Sequence, residues 1–188
     1  MTGRLVVSTA IGLLLAFAVV GQAAPDAAQP ASLLQFTASI HQYVQLHRQI
    51  EQQLPPFRAH SDAQDIIESS NAMAAALQIA RANAREGDLF TREVAALLRT
   101  RVSAALTARG FLPEEMVAAT LEEADDKAAL PVVNGRFPWR RGAAMWPCVL
   151  DGLPRLPHEL QYRFVGRDLV LVDTHADVVV DILRNAVR

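Results

Sequence analysis

Seven side chains near the N-terminal end, Leu33, Phe36, Ile40, Tyr43, His47, Ile50 and Leu54, recur at intervals of three and four. That spacing draws one stripe down a helix, and a helix with such a stripe has to bury it against something else. The chain must therefore build a packed helical layer, and His47 is the one polar member of the seam. The helix is expected over Ser32–Leu54, with Ser32 as its cap and Pro55-Pro56 as its stop. About three heptads suit packing within a small bundle as well as a free coiled coil.

More helices follow by the same rules. Ser61-Asp62-Ala63-Gln64 has the form of a capping box, and the alanine-rich stretch after it is expected to stay helical to Arg85-Glu86, ending at Gly87. Thr91 caps a third helix that carries Val94, Leu98, Val102 and Leu106 inward. Gly110 suits its left-handed end, with Phe111 folding back. Pro113 then starts a short fourth helix, Glu114 to Glu123.

The texture changes beyond Lys127. Val132 to Phe137 around Asn134-Gly135 reads as a tight hairpin. Glu159–Val165 and Asp168–Val172 around Gly166-Arg167 read as a second, with Leu160, Tyr162 and Phe164 alternating against Gln161 and Arg163. Thr174 is expected to cap a closing helix with Ala176, Val179, Val180, Leu183 and Val187 inward. The expected fold class is α+β, mainly α: an N-terminal helical bundle over 32–123, then a small antiparallel part of two hairpins and a C-terminal helix over 131–188. The join is too short for a long linker, so 32–188 should form a single globular domain.

The first 23 residues have a different purpose. Arg4 is the only charge before Asp26, Leu5 to Val20 is almost wholly apolar, and Gly21 and Ala23 are small. The apolar run is short of the roughly 20 residues that span a bilayer core. It matches a cleavable secretory signal cut after Ala23. Residues 24–31 then form a flexible leader, and no membrane span is left after cleavage. The expected location is extracytoplasmic, periplasmic or secreted. A net charge of −2 excludes the basic footprint of a nucleic-acid binder. The single cysteine, Cys148, permits no internal disulfide, so packing must supply the stability. Its apolar surroundings suggest an inert thiol, with an intermolecular disulfide as the alternative.

The segments Asn83-Ala84-Arg85-Glu86-Gly87-Asp88-Leu89-Phe90-Thr91, Asn134-Gly135-Arg136-Phe137-Pro138-Trp139 and Leu156-Pro157-His158-Glu159-Leu160-Gln161-Tyr162-Arg163-Phe164-Val165-Gly166-Arg167-Asp168-Leu169 resemble a group of exported bacterial proteins of unassigned function. The resemblance runs from about residue 79 to residue 188. It implies export and a bacterial source, and it implies no catalytic or ligand residue.

Candidate chemistry is sparse. Asp173, His175 and Asp177 alternate and could converge on a divalent ion if the segment stayed extended. Thr174 as a helix cap would splay them, so neither a metal nor another cofactor is expected. His41 and His47 are six apart, which is not a same-face spacing. Glu122, Glu123, Asp125 and Asp126 lack the regularity of a calcium loop. Phe137, Trp139, Arg140, Arg141 and Trp146 combine arginine with aromatics, the make-up of a binding hot spot. They could equally cover the core through cation–π contacts.

The expected function is non-catalytic binding of another envelope or secreted protein. The alternatives are an extracytoplasmic hydrolase with dispersed catalytic residues, or a carrier of a small ligand. A deep polar-lined cavity would favour the hydrolase, a dry apolar one the carrier, and an exposed apolar groove the interaction protein. Whatever the activity, intact-mass measurement on the extracytoplasmic protein should show a chain that starts at Ala24, with about 23 residues lost. A full-length chain in the membrane fraction would contradict cleavage.

Overall fold

The computed structural model describes residues 30–55, 62–122, 124–125, 128–141 and 146–188. The signal segment, most of the leader, His60 and Ser61 lie outside the described residues. Helix α1 spans Ala31–Glu51, α2 Ala63–Ala80, α3 Arg92–Arg109, α4 Pro113–Leu121, and a single turn, α5, Pro147–Leu150. Strands β1 (Leu160–Val165), β2 (Asp168–Asp173) and β3 (Val179–Leu183) form an antiparallel sheet in the order β1-β2-β3.

The seam of α1 is buried as its spacing requires: Leu33, Phe36, Ile40, Tyr43, His47 and Ile50 all face inward, joined by Val44. Ser32 is inside the helix rather than its cap, which falls on Pro30 without a side-chain bond. Helix α3 starts at Thr91, whose side chain accepts from the Val94 amide, and ends on Gly110 at φ 71°. The Phe111 amide then bonds back to the Leu106 carbonyl, the arrangement that satisfies a helix's last carbonyls.

Helix α2 is capped by Asp62, which accepts from the Asp65 amide at 2.9 Å, and it stops at Ala80 rather than near Glu86. Two side chains from elsewhere in the chain end it. Asn134 Nδ2 donates to the carbonyls of Gln78 (2.9 Å) and Arg81 (3.1 Å), occupying the helix's terminal acceptors. Asp181 on β3 accepts from the amides of Gly87 (2.8 Å), Leu89 (2.7 Å) and Phe90 (2.7 Å). Those amides are aimed at a carboxylate, so they cannot continue a helix.

The second expected hairpin exists as β1 and β2, paired from Leu160↔Asp173 to Val165↔Asp168, with Gly166 at φ 56° in the turn. The first does not form. Asn134 takes φ 63° and the Gly135 amide closes a turn on the Val132 carbonyl. Beyond that turn the strand partner is not Val132 but the stretch before and within β3. Arg136 bridges Val178, and Phe137 N–H donates to the Asp177 carbonyl. Pro131 and Pro138 bracket the segment and supply no amide for a longer ladder.

The closing helix is also absent, and β3 stands in its place. All five β3 residues are buried. One sheet face joins the helices in the main core through Leu160, Tyr162, Phe164, Leu169, Leu171, Val178, Val180 and Leu183. The other face, Val165, Val170, Val172, Val179 and Ile182, is covered by Phe137 and Val133. A strand buried on both faces loses its polar–apolar alternation, and its apolar run then reads equally as a helix. A bulge between Leu171 and Val172 further blurs the period.

Asp181 bonds the amides of Gly87, Leu89, Phe90 and Ile182, and burial pushes its carboxyl up against the pull of those donors. Asp181→Ala should destabilise the fold by about 3 kcal/mol or more, because buried amides lose a charged acceptor. Asp151→Ala, at an exposed position, should stay within about 0.5 kcal/mol of the parent. Urea unfolding of the two variants measures the difference.

Candidate functional site

Tyr43, His47 and Glu51 follow each other at four-residue steps along the C-terminal half of α1 and so share a face. The end of β2 brings Asp173 against that face. Its Oδ2 accepts from Tyr43 Oη at 2.8 Å and lies 2.6 Å from His47 Nδ1. Its Oδ1 accepts from the amides of His175 (3.0 Å) and Ala176 (2.8 Å), which turns the chain back toward β3. The side chains of His47 and Asp173 are 3% and 0% exposed, so the pair is inside the protein.

A carboxylate only accepts, so a proton sits on His47 Nδ1, and in the neutral imidazole Nε2 carries the free lone pair. Burial alone would lower the His47 pKa. The bond to Asp173 and the charges of Asp173, Glu51 and Glu159 outweigh it and raise the net value. Burial likewise opposes the charge on Asp173, and the His47, Ala176 and Tyr43 bonds overcome it and hold the carboxyl below its ordinary range. The Tyr43 hydroxyl is pushed well up, first by burial and then by the adjacent carboxylate.

The turn after Asp173 swings His175 to the other side of His47, with ring centroids 6.0 Å apart. His175 Nε2 lies 2.9 Å from Ser69 Oγ on α2, and its Nδ1 is 3.4 Å from Glu51 Oε1. One ligand atom each from His47, Glu51 and His175 lie within 4.8 Å of one another. These three line a pocket of about 360 Å³ together with Ile66, Ser69, Ser70, His158, Glu159 and Thr174. Glu159 is 3% exposed. Its Oε1 pairs with Arg48 at 2.7 Å, and its buried Oε2, with no hydrogen bond among the described residues, lies 3.4 Å from His158 Nδ1. Burial would raise the Glu159 pKa. Its bonds to its own amide and to Arg48, with the nearby charges, lower the net value.

Chemically, the pocket offers an imidazole oriented by a carboxylate, a second imidazole, and carboxylates with unused lone pairs. Glu51, His175 and Ser69 also stand in the order acid, imidazole, hydroxyl. Ser69 is within α2, however, so its own amide is consumed by the helix and is not available to an oxyanion.

The alternating triplet does not converge. Asp173 turns into the core, His175 faces the pocket, and Asp177, at φ 50°, interacts with Arg136 and Trp139. The arginine–aromatic residues also divide. Phe137 is buried beneath the sheet and meets Trp139 edge-on at 4.7 Å. Trp139 is 45% exposed under the Arg163 guanidinium. Arg140 pairs with Asp125 at 3.3 Å, and Arg141 donates to the Asp125 carbonyl. Trp146 packs on the main core against Phe111. Cys148 is half-buried beside the same core.

Sequence reasoning missed Glu51, Ser69, Tyr43 and Glu159. The available signal was the four-residue step from His47 to Glu51. No local pattern ties either to His175, because the His47–Asp173 contact joins residues 126 positions apart.

Removing Asp173 strands two buried partners. Asp173→Ala should cost about 3–5 kcal/mol, the range for breaking a buried pair from one side. Tyr43→Phe removes a single bond and should cost about 1 kcal/mol. Denaturant unfolding checks both. Compared with known proteins, the chain matches no family model, no curated protein and no solved structure.

Proposed function

We propose that this is an extracytoplasmic binding protein of the cell envelope, and that its binding centre is the pocket around His47 and His175. One observation carries the reading: the imidazoles of His47, His158 and His175 and the carboxylates of Glu51 and Glu159 converge on one pocket. His47 contributes an imidazole whose Nδ1 is held by Asp173, Glu51 an exposed carboxylate, and Glu159 a buried carboxylate whose Oε2 makes no hydrogen bond among the described residues and lies 3.4 Å from His158 Nδ1. Two carboxylates and several imidazole nitrogens on one wall suit a ligand that is cationic or rich in hydrogen-bond donors. The signal-like N-terminus and the resemblance to exported bacterial proteins support the location. Among the described residues, no helix is long and apolar enough to cross a membrane.

Most of the pocket's lining surface is apolar, with imidazole, carboxylate and hydroxyl groups set into it, so the lining alone does not decide between this reading and a small-ligand carrier. A second reading, a hydrolase, draws on His47 itself. An imidazole held by a buried carboxylate with its other nitrogen free is the arrangement of a general base. Its test is turnover of ester and phosphoester substrates that is lost in His47→Gln.

The binding reading is tested by photo-crosslinking in living cells. A benzophenone side chain at Ser70, on the pocket wall, should form specific adducts with an envelope component, and Glu159→Gln should reduce them several-fold. Adducts obtained from Trp139 and not from Ser70 would move the binding centre to the arginine–aromatic segment.

A further inference from the structure

We propose that His47, Glu51 and His175 bind a divalent transition metal ion, with Zn²⁺ the best match to their donors. The inference rests on the pocket being the binding centre and names its ligand.

Zinc takes imidazole nitrogen and carboxylate oxygen at roughly 2.0–2.2 Å, which puts neighbouring ligand atoms of a tetrahedron about 3.4 Å apart. His175 Nδ1 and Glu51 Oε1 already stand 3.4 Å apart. The set of three falls within 4.8 Å, so closing on an ion needs about an ångström of movement. Glu51 and His175, with side chains 52% and 24% exposed, have the room to make it. The His47 ring is held by Asp173 2.6 Å from Nδ1, which leaves Nε2 of the neutral imidazole as its nitrogen for the ion.

The surroundings have the form that metal sites use. A carboxylate on the far nitrogen of a ligating histidine sets its tautomer and strengthens it as a donor, and Asp173 occupies that place. Ser69 Oγ, 2.9 Å from His175 Nε2, does the same for the second imidazole. Two ligands from one helix at a four-residue step and a third from a distant turn make a fixed pair plus a closing arm. Three protein ligands leave a fourth position for water. Such a water is a donor, and Glu159 Oε2, buried on the same pocket wall and 3.4 Å from His158 Nδ1, has lone-pair capacity left to receive it. Calcium and magnesium prefer all-oxygen shells, whereas two imidazoles and one carboxylate suit zinc and its transition-metal neighbours.

The experiment uses the untagged mature chain, stripped with chelator and titrated with Zn²⁺ by calorimetry, with elemental analysis after gel filtration. The expected result is one equivalent of zinc per chain. Glu51→Ala and His175→Ala alter partly exposed side chains, so both variants should keep the parent's unfolding midpoint in chelator. Each should weaken zinc binding by more than about 100-fold, since even outer-shell changes cost roughly 10–100-fold. Ser69→Ala should weaken it by about 10-fold. Co²⁺ in place of zinc should give the intense visible bands of a four-coordinate ion, and those bands should vanish in His175→Ala. Substoichiometric zinc, unchanged affinity in both alanine variants, or equal affinity for Ca²⁺ would overturn the assignment. If zinc fails while Ser70 adducts persist, the metal falls and the pocket reading stands; loss of both removes both.

Discussion

A carboxylate with no exposure, Asp173, is tolerable in this core only because each of its oxygens is occupied. One takes Tyr43 and His47 from α1, and the other takes the backbone of the turn that leads into β3. The first helix and the sheet are therefore joined by a directional contact in addition to apolar packing. Hydrophobic burial is non-directional and would accept α1 at several rotations and heights. The Asp173 bonds accept one. They also fix the end of β2 and the start of the turn that delivers His175, so the pocket inherits its geometry from this carboxylate.

Asp181 has the parallel role on the next strand. It gathers the amides of Gly87, Leu89 and Phe90 ahead of α3, while Arg81 Nη2 donates to the Val180 carbonyl beside it. The sheet thus sends two buried acids toward the helical layer, one to α1 and one to the α2–α3 connection. Both lie in apolar runs, LVLVD and VVDIL, where a lone aspartate looks like a blemish in the hydrophobic pattern. Inside a low-dielectric core a fully bonded acid is instead the strongest positional constraint available.

These two acids also explain what could be read in advance. Where apolar spacing decided the outcome, as in α1, α3 and the alternating β1–β2 hairpin, the elements were legible. The end of α2 was not, because Asn134 and Asp181 terminate it from 53 and more residues away. β3 was not, because Phe137 and Val133 cover its second face and erase the alternation. Thr174 is a good cap by composition, yet its hydroxyl donates to the His158 carbonyl, and Asp173 bonds the amides that a cap would have taken. For the site, His47 was visible as the odd member of a seam. What it was for depended on a partner 126 residues on, which no local pattern encodes.

The groups around the pocket divide into a rigid and a yielding half, and the division follows burial. His47, sealed in the core, has its ring orientation fixed by a bond that also serves the fold, so losing that bond would be felt in stability as well as in binding. Glu51 and His175 sit at the surface ends of α1 and of the β2–β3 turn, where their contacts, at 3.4 Å to one another and 2.9 Å to Ser69, contribute little to the core. An anchored donor facing movable ones lets a ligand be gripped without rearranging the backbone, because side-chain rotation at the rim is enough. It also keeps the costs separate. The fold pairs buried His47 with Asp173 and buried Glu159 with Arg48 and His158, whereas Glu51 and His175 contact each other and Ser69 nearer the surface. Partly exposed contacts of that kind contribute little to folding, so substitutions at Glu51 and His175 bear on the pocket rather than on the core.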